Sequence, residues 1–228
     1  MVKVINKDYF NTKFKEKYNL IITEPPHKKD SYQGVTGRGL ERFQGKIPIE
    51  PSDLIDLDLT VLAKRLFHDL EDGGTLIIFY DKWRINELKN VLQEVGFNSF
   101  RLLVWSINNP VPLNCKRNYI ANGSELFLSA SKGTKKAYNH TFHNGTFSYN
   151  RVKTKMKKHY YQKPRELIYE LILQNTNEND LILDPFCGSG DFGYVAINNN
   201  RSFTGVEINP KYYKMANKLL TYHTESLL

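Results

Sequence analysis

The chain has 228 residues, 40% hydrophobic and 25% charged, the composition of an ordinary soluble globular protein large enough for one well-filled α/β domain. No apolar run approaches the ~20 residues that span a bilayer, and Met1 to Asp8 lacks the long apolar region of a secretory signal, so a membrane role is excluded and a cytoplasmic setting expected. The net charge of +8 favours a polyanionic partner. The two distant cysteines, Cys115 and Cys187, have neither CxxC spacing nor paired histidines nearby, which gives no metal site.

Leu20-Ile21-Ile22 predicts a short buried strand that stops at Glu24-Pro25-Pro26, because two prolines cannot continue a central strand. Lys28 to Lys46, with Gly34, Gly37, Gly39 and Gly45, reads as a long loop. Pro51-Ser52-Asp53 offers a helix start, and Ile55, Leu59, Leu62 and Leu66 recur on one helical face until Gly73-Gly74 ends it. Thr75 to Phe79 predicts a strand. Leu88, Val91, Leu92 and Val95 predict a helix closed near Gly96. Phe100 to Trp105 and Glu125 to Ser129 read as strands, and a helix begins at Pro164. Leu181-Ile182-Leu183, a helix around Val195, the strand Phe203 to Val206 and the helix Lys211 to Leu220 complete the series. Strands alternating with helices predict a doubly wound, mostly parallel α/β sheet with helices on both faces, and no internal repeat is visible. Ligands then sit beyond the carboxyl ends of the strands. Both unusual turns, Glu24-Pro25-Pro26-His27 and Asp184-Pro185-Phe186-Cys187-Gly188-Ser189-Gly190, follow apolar strands and so share that rim.

The glycines of the second turn let backbone pass close to a ligand, and the following helix points free N–H groups at the same place. A Gly-x-Gly turn alone is weak, but Glu207 ends the next strand, where an acid hydrogen-bonds ribose hydroxyls in nucleotide-binding α/β folds. The stretch between Glu125 and Glu166 has no acidic residue and carries Lys132, Lys135, Lys136, Arg151, Lys153, Lys155, Lys157, Lys158, Lys163 and Arg165. Tyr138, His140, Phe142, His143, Phe147 and Tyr149 are interleaved with them. Lysines neutralise phosphates and aromatics stack on bases. A solvated basic loop, a small core and a dimer contact are the other readings of this stretch.

Asp184 to Gly190 resembles the cofactor motif of the S-adenosylmethionine-dependent DNA amino-methyltransferases, and Gly205 to Tyr213 resembles their ribose motif with its helix. His159-Tyr160-Tyr161-Gln162-Lys163-Pro164 resembles the family's His-Pro-Thr-Gln-Lys-Pro segment, and Asn6-Lys7-Asp8 its short element near the start, though Asp8 reads equally as a turn residue. The motif order is that of the permuted β group, catalytic half first. The resemblance implies the class I methyltransferase fold, S-adenosylmethionine as cofactor, and one domain over 1–228: a catalytic half 1–130, a target-recognition insert 131–158 and a cofactor half 159–228. It implies cofactor contacts from Asp8, Gln162, Lys163, Pro164, Asp184, Phe186, Gly188, Ser189, Gly190 and Glu207. Asp191 follows where the family has threonine and is expected to cap the next helix.

Glu24-Pro25-Pro26-His27 stands at the family's catalytic motif, an Asp, Asn or Ser followed by Pro-Pro and an aromatic. There a side-chain oxygen and a proline-held carbonyl accept the two hydrogens of an exocyclic amine and localise its lone pair, while the aromatic stacks on an extruded base. Glu24 keeps the acceptor and adds a methylene; His27 replaces the usual Tyr; Ile107 replaces a lysine that follows Trp105 in relatives. The resemblance implies methylation of DNA, single- or double-stranded, at adenine N6 before cytosine N4, as in restriction-modification. Lys135, Lys136, Arg151, Lys153, Lys155, Lys157 and Lys158 are then nucleic-acid contacts. The other readings are a silent pseudo-methyltransferase that holds DNA, cofactor or a partner, and an enzyme acting on RNA. A homodimer or a catalytic partner subunit is compatible with each.

Overall fold

The computed structural model describes residues 1–26, 52, 55–110, 122–134, 138–140, 142–153, 156–157, 159 and 161–225, with side chains to 221. Among the described residues eight strands form one sheet: β1 (Val2–Ile5), β2 (Tyr18–Thr23), β3 (Leu70–Phe79), β4 (Phe97–Ile107), β5 (Ser124–Lys132), β6 (Thr146–Tyr149), β7 (Leu181–Asp184) and β8 (Ser202–Val206). Their order is β1-β8-β7-β2-β3-β5-β4-β6, and only β5 runs antiparallel to its neighbours. The helices are α1 (Leu59–Asp69), α2 (Ile85–Val95), α3 (Arg165–Asn175), α4 (Asp191–Ile197) and α5 (Pro210–Glu225). Among the described residues no helix is long and apolar enough to cross a membrane.

The period-2 alternation of strand side chains divides the core in two. Leu20, Ile22, Ile77, Phe79 and Ile182 face one side with Leu167 and Leu171 of α3, Val195 of α4 and Ala216 of α5. Ile21, Leu76, Ile78, Leu183 and Val206 face the other, with Leu62 and Leu66 of α1 and Leu88 and Leu92 of α2. Near-continuous apolar runs are what strands covered on both faces require. The doubly wound α/β architecture expected from the sequence is therefore present.

The bounds of α1 and the two ends of the sheet differ most from expectation. Helix α1 starts at Leu59, where the Asp58 carboxylate accepts from the amides of Thr60 and Val61. Ile55 is therefore not on its face but 37% exposed. The helix ends at Asp69, before Gly73-Gly74, and β3 begins directly at Leu70. The glycines sit inside β3 at an irregularity in its pairing with β2. Gly73 has φ 86°, and a Cβ on Gly74 would lie 2.9 Å from the Leu70 side chain. Finally, β1 and β6 form edge strands that short, weakly patterned runs did not announce. β6 places part of the 131–158 interval in the sheet, with Phe147 buried in the core.

The strands β7 and β2 lie side by side, but their connections leave in opposite directions, to β8 and to β3. This is the topological switch point, and the crevice beyond it is where such sheets bind ligands.

Candidate active site

One cleft lies at that point and gathers side chains from both halves of the chain. Glu24, Pro25 and Pro26 follow β2; Asp184 ends β7, and Phe186, Gly188 and Ser189 follow it; Glu207 follows β8; Asp8 follows β1; Gln162 and Lys163 precede α3. Ile55, Leu57 and Ile208 add apolar wall that the sequence reading did not assign. Pro164 and Gly190, expected at the cofactor, do not line the cleft. Pro164 is buried at the start of α3. Gly190, at φ 85°, sits where a Cβ would lie 3.0 Å from Cβ of Ala216, so this glycine serves packing against α5. His27, Lys135, Lys136, Lys155 and Lys158 lie outside the described residues.

Glu207 is nearly buried and held by backbone. The Gly188 amide donates to its Oε2 at 2.8 Å and the Asn209 amide to its Oε1 at 2.7 Å. Asn6 donates to the Glu207 carbonyl at 2.8 Å, so the short element after β1 buttresses the strand end. The carboxylate of Asp8 accepts from the Phe10 amide at 2.9 Å, fixing a 3-10 turn while Asp8 still faces the cleft; it is both a turn residue and a lining residue. Gly188, at φ 50°, passes beneath His159, whose ring a Cβ would meet at 3.5 Å.

Asp184 joins the two sides of the crevice. Thr23 donates to its Oδ1 at 2.7 Å and the Phe186 amide donates to the same oxygen at 3.1 Å. Its Oδ2 is buried with no hydrogen-bond partner among the described residues. Burial raises the Asp184 carboxyl to about 7, with smaller contributions from the negative Glu207 and Glu24. Desolvation disfavours the charged form, and two neighbouring carboxylates act in the same sense.

The carboxylate of Asp191 accepts from the Ser189 hydroxyl at 2.8 Å and from Arg165 at 2.8 Å. The cap of α4 is Gly190 without a side-chain bond, so the expected capping role of Asp191 is replaced by an ion pair. Arg165 stacks 3.7 Å over the Tyr194 ring, which fixes the cation. The charge that stood out in the sequence is thus neutralised within the wall.

Glu24 also carries an ion pair, which the motif did not foretell. Lys163 donates to both Glu24 oxygens at 2.7 Å and lies 3.0 Å from Glu125 at the start of β5. Lys157, expected at phosphate, is instead half-buried near this cluster. Burial lowers its ammonium to about 8, helped by Arg151 and Lys163 and opposed by Glu125 and Glu24. Arg151 and Lys153 lie just past the end of β6, Lys153 exposed. Of the interleaved aromatics, Phe147 is core, His143 stacks on it at 4.3 Å, and Tyr149 donates to Glu170 at 2.6 Å, while Phe142 remains 77% exposed.

A family model described as DNA methylase, for N6 and N4 methyltransferases, matches residues 18–218. The chain is 34% identical over 167 residues to the type II methyltransferase M2.LlaDCHI of Lactococcus lactis subsp. cremoris, covering 66% of this chain and 61% of that protein. It is 35% identical over 127 residues to the DNA adenine methyltransferase YhdJ of Escherichia coli (strain K12), covering 48% of this chain and 43% of that one. The chain thus spans less than two thirds of the length of these curated relatives. Among solved structures, the M1.HpyAVI–SAM complex aligns with a TM-score of 0.73 at 26% identity, covering 96% of this chain and 100% of that one.

Proposed function

Because this chain belongs to the DNA methylase family, we propose that it transfers the methyl group of S-adenosylmethionine to an exocyclic amine of a DNA base, adenine N6 before cytosine N4. One observation carries the reading: the carboxylate of the Pro-Pro motif and the carboxylates of the glycine-turn half line a single cleft at the switch point. The residues fit the cofactor on chemistry. Asp8, Asp184 and Glu207 line the cleft with three carboxyl groups, and one oxygen of Asp184 is buried with no hydrogen-bond partner among the described residues. That suits a ligand with a sulfonium, an ammonium and ribose hydroxyls. Glu207 is the ribose acceptor by its place at the end of β8, and Phe186 and Ile208 supply apolar wall for a purine.

S-adenosylmethionine, held in this cleft, would supply an electrophilic methyl group with a neutral thioether as its leaving group. The chain's own residues prepare the nitrogen. Glu24 accepts one amine hydrogen and the proline-held main chain the other, which localises the lone pair; Glu24 then helps lead away the proton that the methylated nitrogen sheds. Acid in place of serine at this position supports adenine, as does the adenine-specific name of one relative. Arg151 and Lys153 are the described candidates for phosphate contact.

Transfer of labelled methyl from S-adenosylmethionine to unmethylated single- and double-stranded DNA tests this, with nucleoside digestion to name the base. Incorporation lost in Glu24→Ala establishes it. Cofactor binding without incorporation into any DNA would leave a silent DNA-holding module.

A further inference from the structure

The lysine of the Gln-Lys-Pro segment is expected at the cofactor, yet its ammonium points at the catalytic motif. Lys163 is 4% exposed at its side chain and has at least four acceptors: both oxygens of Glu24 at 2.7 Å, Glu125 at 3.0 Å and the Tyr161 carbonyl at 3.3 Å. An ammonium has three hydrogens. Four acceptors for three donors means that one acceptor can leave with every donor still bonded. Phe79 lies 5.1 Å beneath the same nitrogen and closes the side away from water.

We propose that Lys163, backed by Glu125, is a positioning residue that holds and then releases one oxygen of Glu24 to the target amine. The proposal rests on the methyltransferase reading above. A glutamate reaches further than the aspartate usual in the family and has an extra torsion, so an unheld Glu24 would sample several positions. Two bonds to a buried ammonium fix it. A carboxylate has about four lone-pair sites, more than the two that Lys163 takes up. When Glu24 turns one oxygen to the base, Lys163 keeps the other oxygen, Glu125 and the Tyr161 carbonyl. Glu125, 42% exposed, is the adjustable partner.

The electrostatics agree. Burial lowers the Lys163 ammonium, but Glu125 and Glu24 outweigh burial and leave it raised, hence charged throughout the working range. Among the described residues, Lys157, Asp184 and the Tyr161 phenol are the other titratable groups that act on Glu24 or this ammonium. With Asp184 near at hand and a base closing the site, a carboxylate without its cation would hold a proton to higher pH and stop accepting. Lys163 prevents that.

The test uses the full chain and two readouts: methyl transfer to DNA at saturating S-adenosylmethionine from pH 6 to 9, and calorimetric affinity for S-adenosylmethionine alone. Lys163→Met is expected to lower kcat on the order of 100-fold, the cost of a misplacement near 1 Å, to move the acid limb of the pH profile upward and to leave cofactor affinity unchanged. Lys163→Arg, which keeps charge and two donors, should recover most of the rate and restore the limb. Glu125→Gln covers the case in which Lys163→Met does not fold. It should fold, lose rate several-fold and keep cofactor affinity. A weakened cofactor affinity with unchanged kcat in Lys163→Met or Lys163→Arg would make Lys163 a cofactor ligand and overturn the proposal. So would a Glu125→Gln or Lys163→Met enzyme with wild-type rate and pH profile. A wild-type chain that binds cofactor and methylates no DNA would instead overturn the methyltransferase reading, and the proposal with it.

Discussion

Glu207 and Glu24 are the two glutamates of the site, and they are held by opposite means. Both oxygens of Glu207 accept from main-chain amides within its own half, Gly188 and Asn209. Both oxygens of Glu24 accept from one side chain that is 139 positions away in sequence. Main-chain donors are fixed once the turn is formed. A lysine ammonium reaches its place only after both halves have folded together, and it can let go. The difference suits the proposed roles, an acceptor for an unreactive ribose on one side and an acceptor that re-aims during methyl transfer on the other.

The comparison is broken most severely at Glu24. Glu24→Ala should lower methyl transfer by about 100- to 10,000-fold, the usual value of a positioned acid–base group, with cofactor affinity unchanged. Rate constants at saturating cofactor, with calorimetry alongside, check it. The loss should lie in kcat, because the group acts on the nitrogen as it becomes nucleophilic. A loss confined to KM for cofactor would place Glu24 on the other side of the cleft.

Glu207→Ala sharpens the contrast from the other end. It removes the proposed ribose acceptor and leaves the Gly188 and Asn209 amides without their carboxylate. Hydrogen bonds to charged groups contribute about 1.5–3 kcal/mol, so the dissociation constant for S-adenosylmethionine should rise about 10- to 100-fold. kcat at saturating cofactor should change little. Equal losses in kcat would mean that the two glutamates are not divided between binding and chemistry.

Gly193→Ala tests the scaffold under the Glu207 side without touching ligand. A Cβ there would lie 2.5 Å from the Phe203 ring, between α4 and β8. Overpacking of this kind costs about 1–3 kcal/mol, and each kcal/mol lowers the melting temperature by about 2–4 °C in a domain of this size. Thermal unfolding should show that drop, with cofactor affinity retained below the transition. An unchanged melting temperature would mean that α4 shifts freely against the sheet.

The same contrast explains what could be read from the residues. The apolar runs, the glycine turn and the acid at the end of β8 are local features, and the switch-point cleft followed from them. Glycine spacing cannot say whether the missing Cβ of Gly190 makes room for a ligand or for Ala216, whose Cβ lies against it. Asp191 and Glu24 read as lone acids because their cations, Arg165 and Lys163, come from another part of the chain. Pro51-Ser52-Asp53 offers a helix start in the sequence, whereas the N-cap of α1 is Asp58, whose carboxylate accepts from the Thr60 and Val61 amides. Lys157 and Lys153 share a basic run, yet one is half-buried near Glu24, Glu125 and Lys163 and the other exposed. Charge runs carry no record of which members turn inward.

Asp184 sits between the two sides, and its prediction is the mildest. Its carboxyl is raised to about 7 by burial first, then by Glu207 and Glu24. A carboxyl raised in the folded state binds more protons there than in the unfolded chain between about pH 4 and 7. Its contribution to stability is therefore complete below the unfolded value and lost as pH rises through about 7. The protein without cofactor should melt lower at pH 8 than at pH 6, and Asp184→Asn, isosteric and always neutral, should flatten that slope. Cofactor binding should run the other way. A cationic ligand favours ionised Asp184, so wild-type affinity should rise about tenfold from pH 6 to 8 with release of a proton, measured by calorimetry in buffers of different ionisation enthalpy. Asp184→Asn should show weaker binding and no release. Proton release that persists in Asp184→Asn would assign the linkage to another group, Lys157 being the described candidate because its ammonium, lowered to about 8, also titrates in this range.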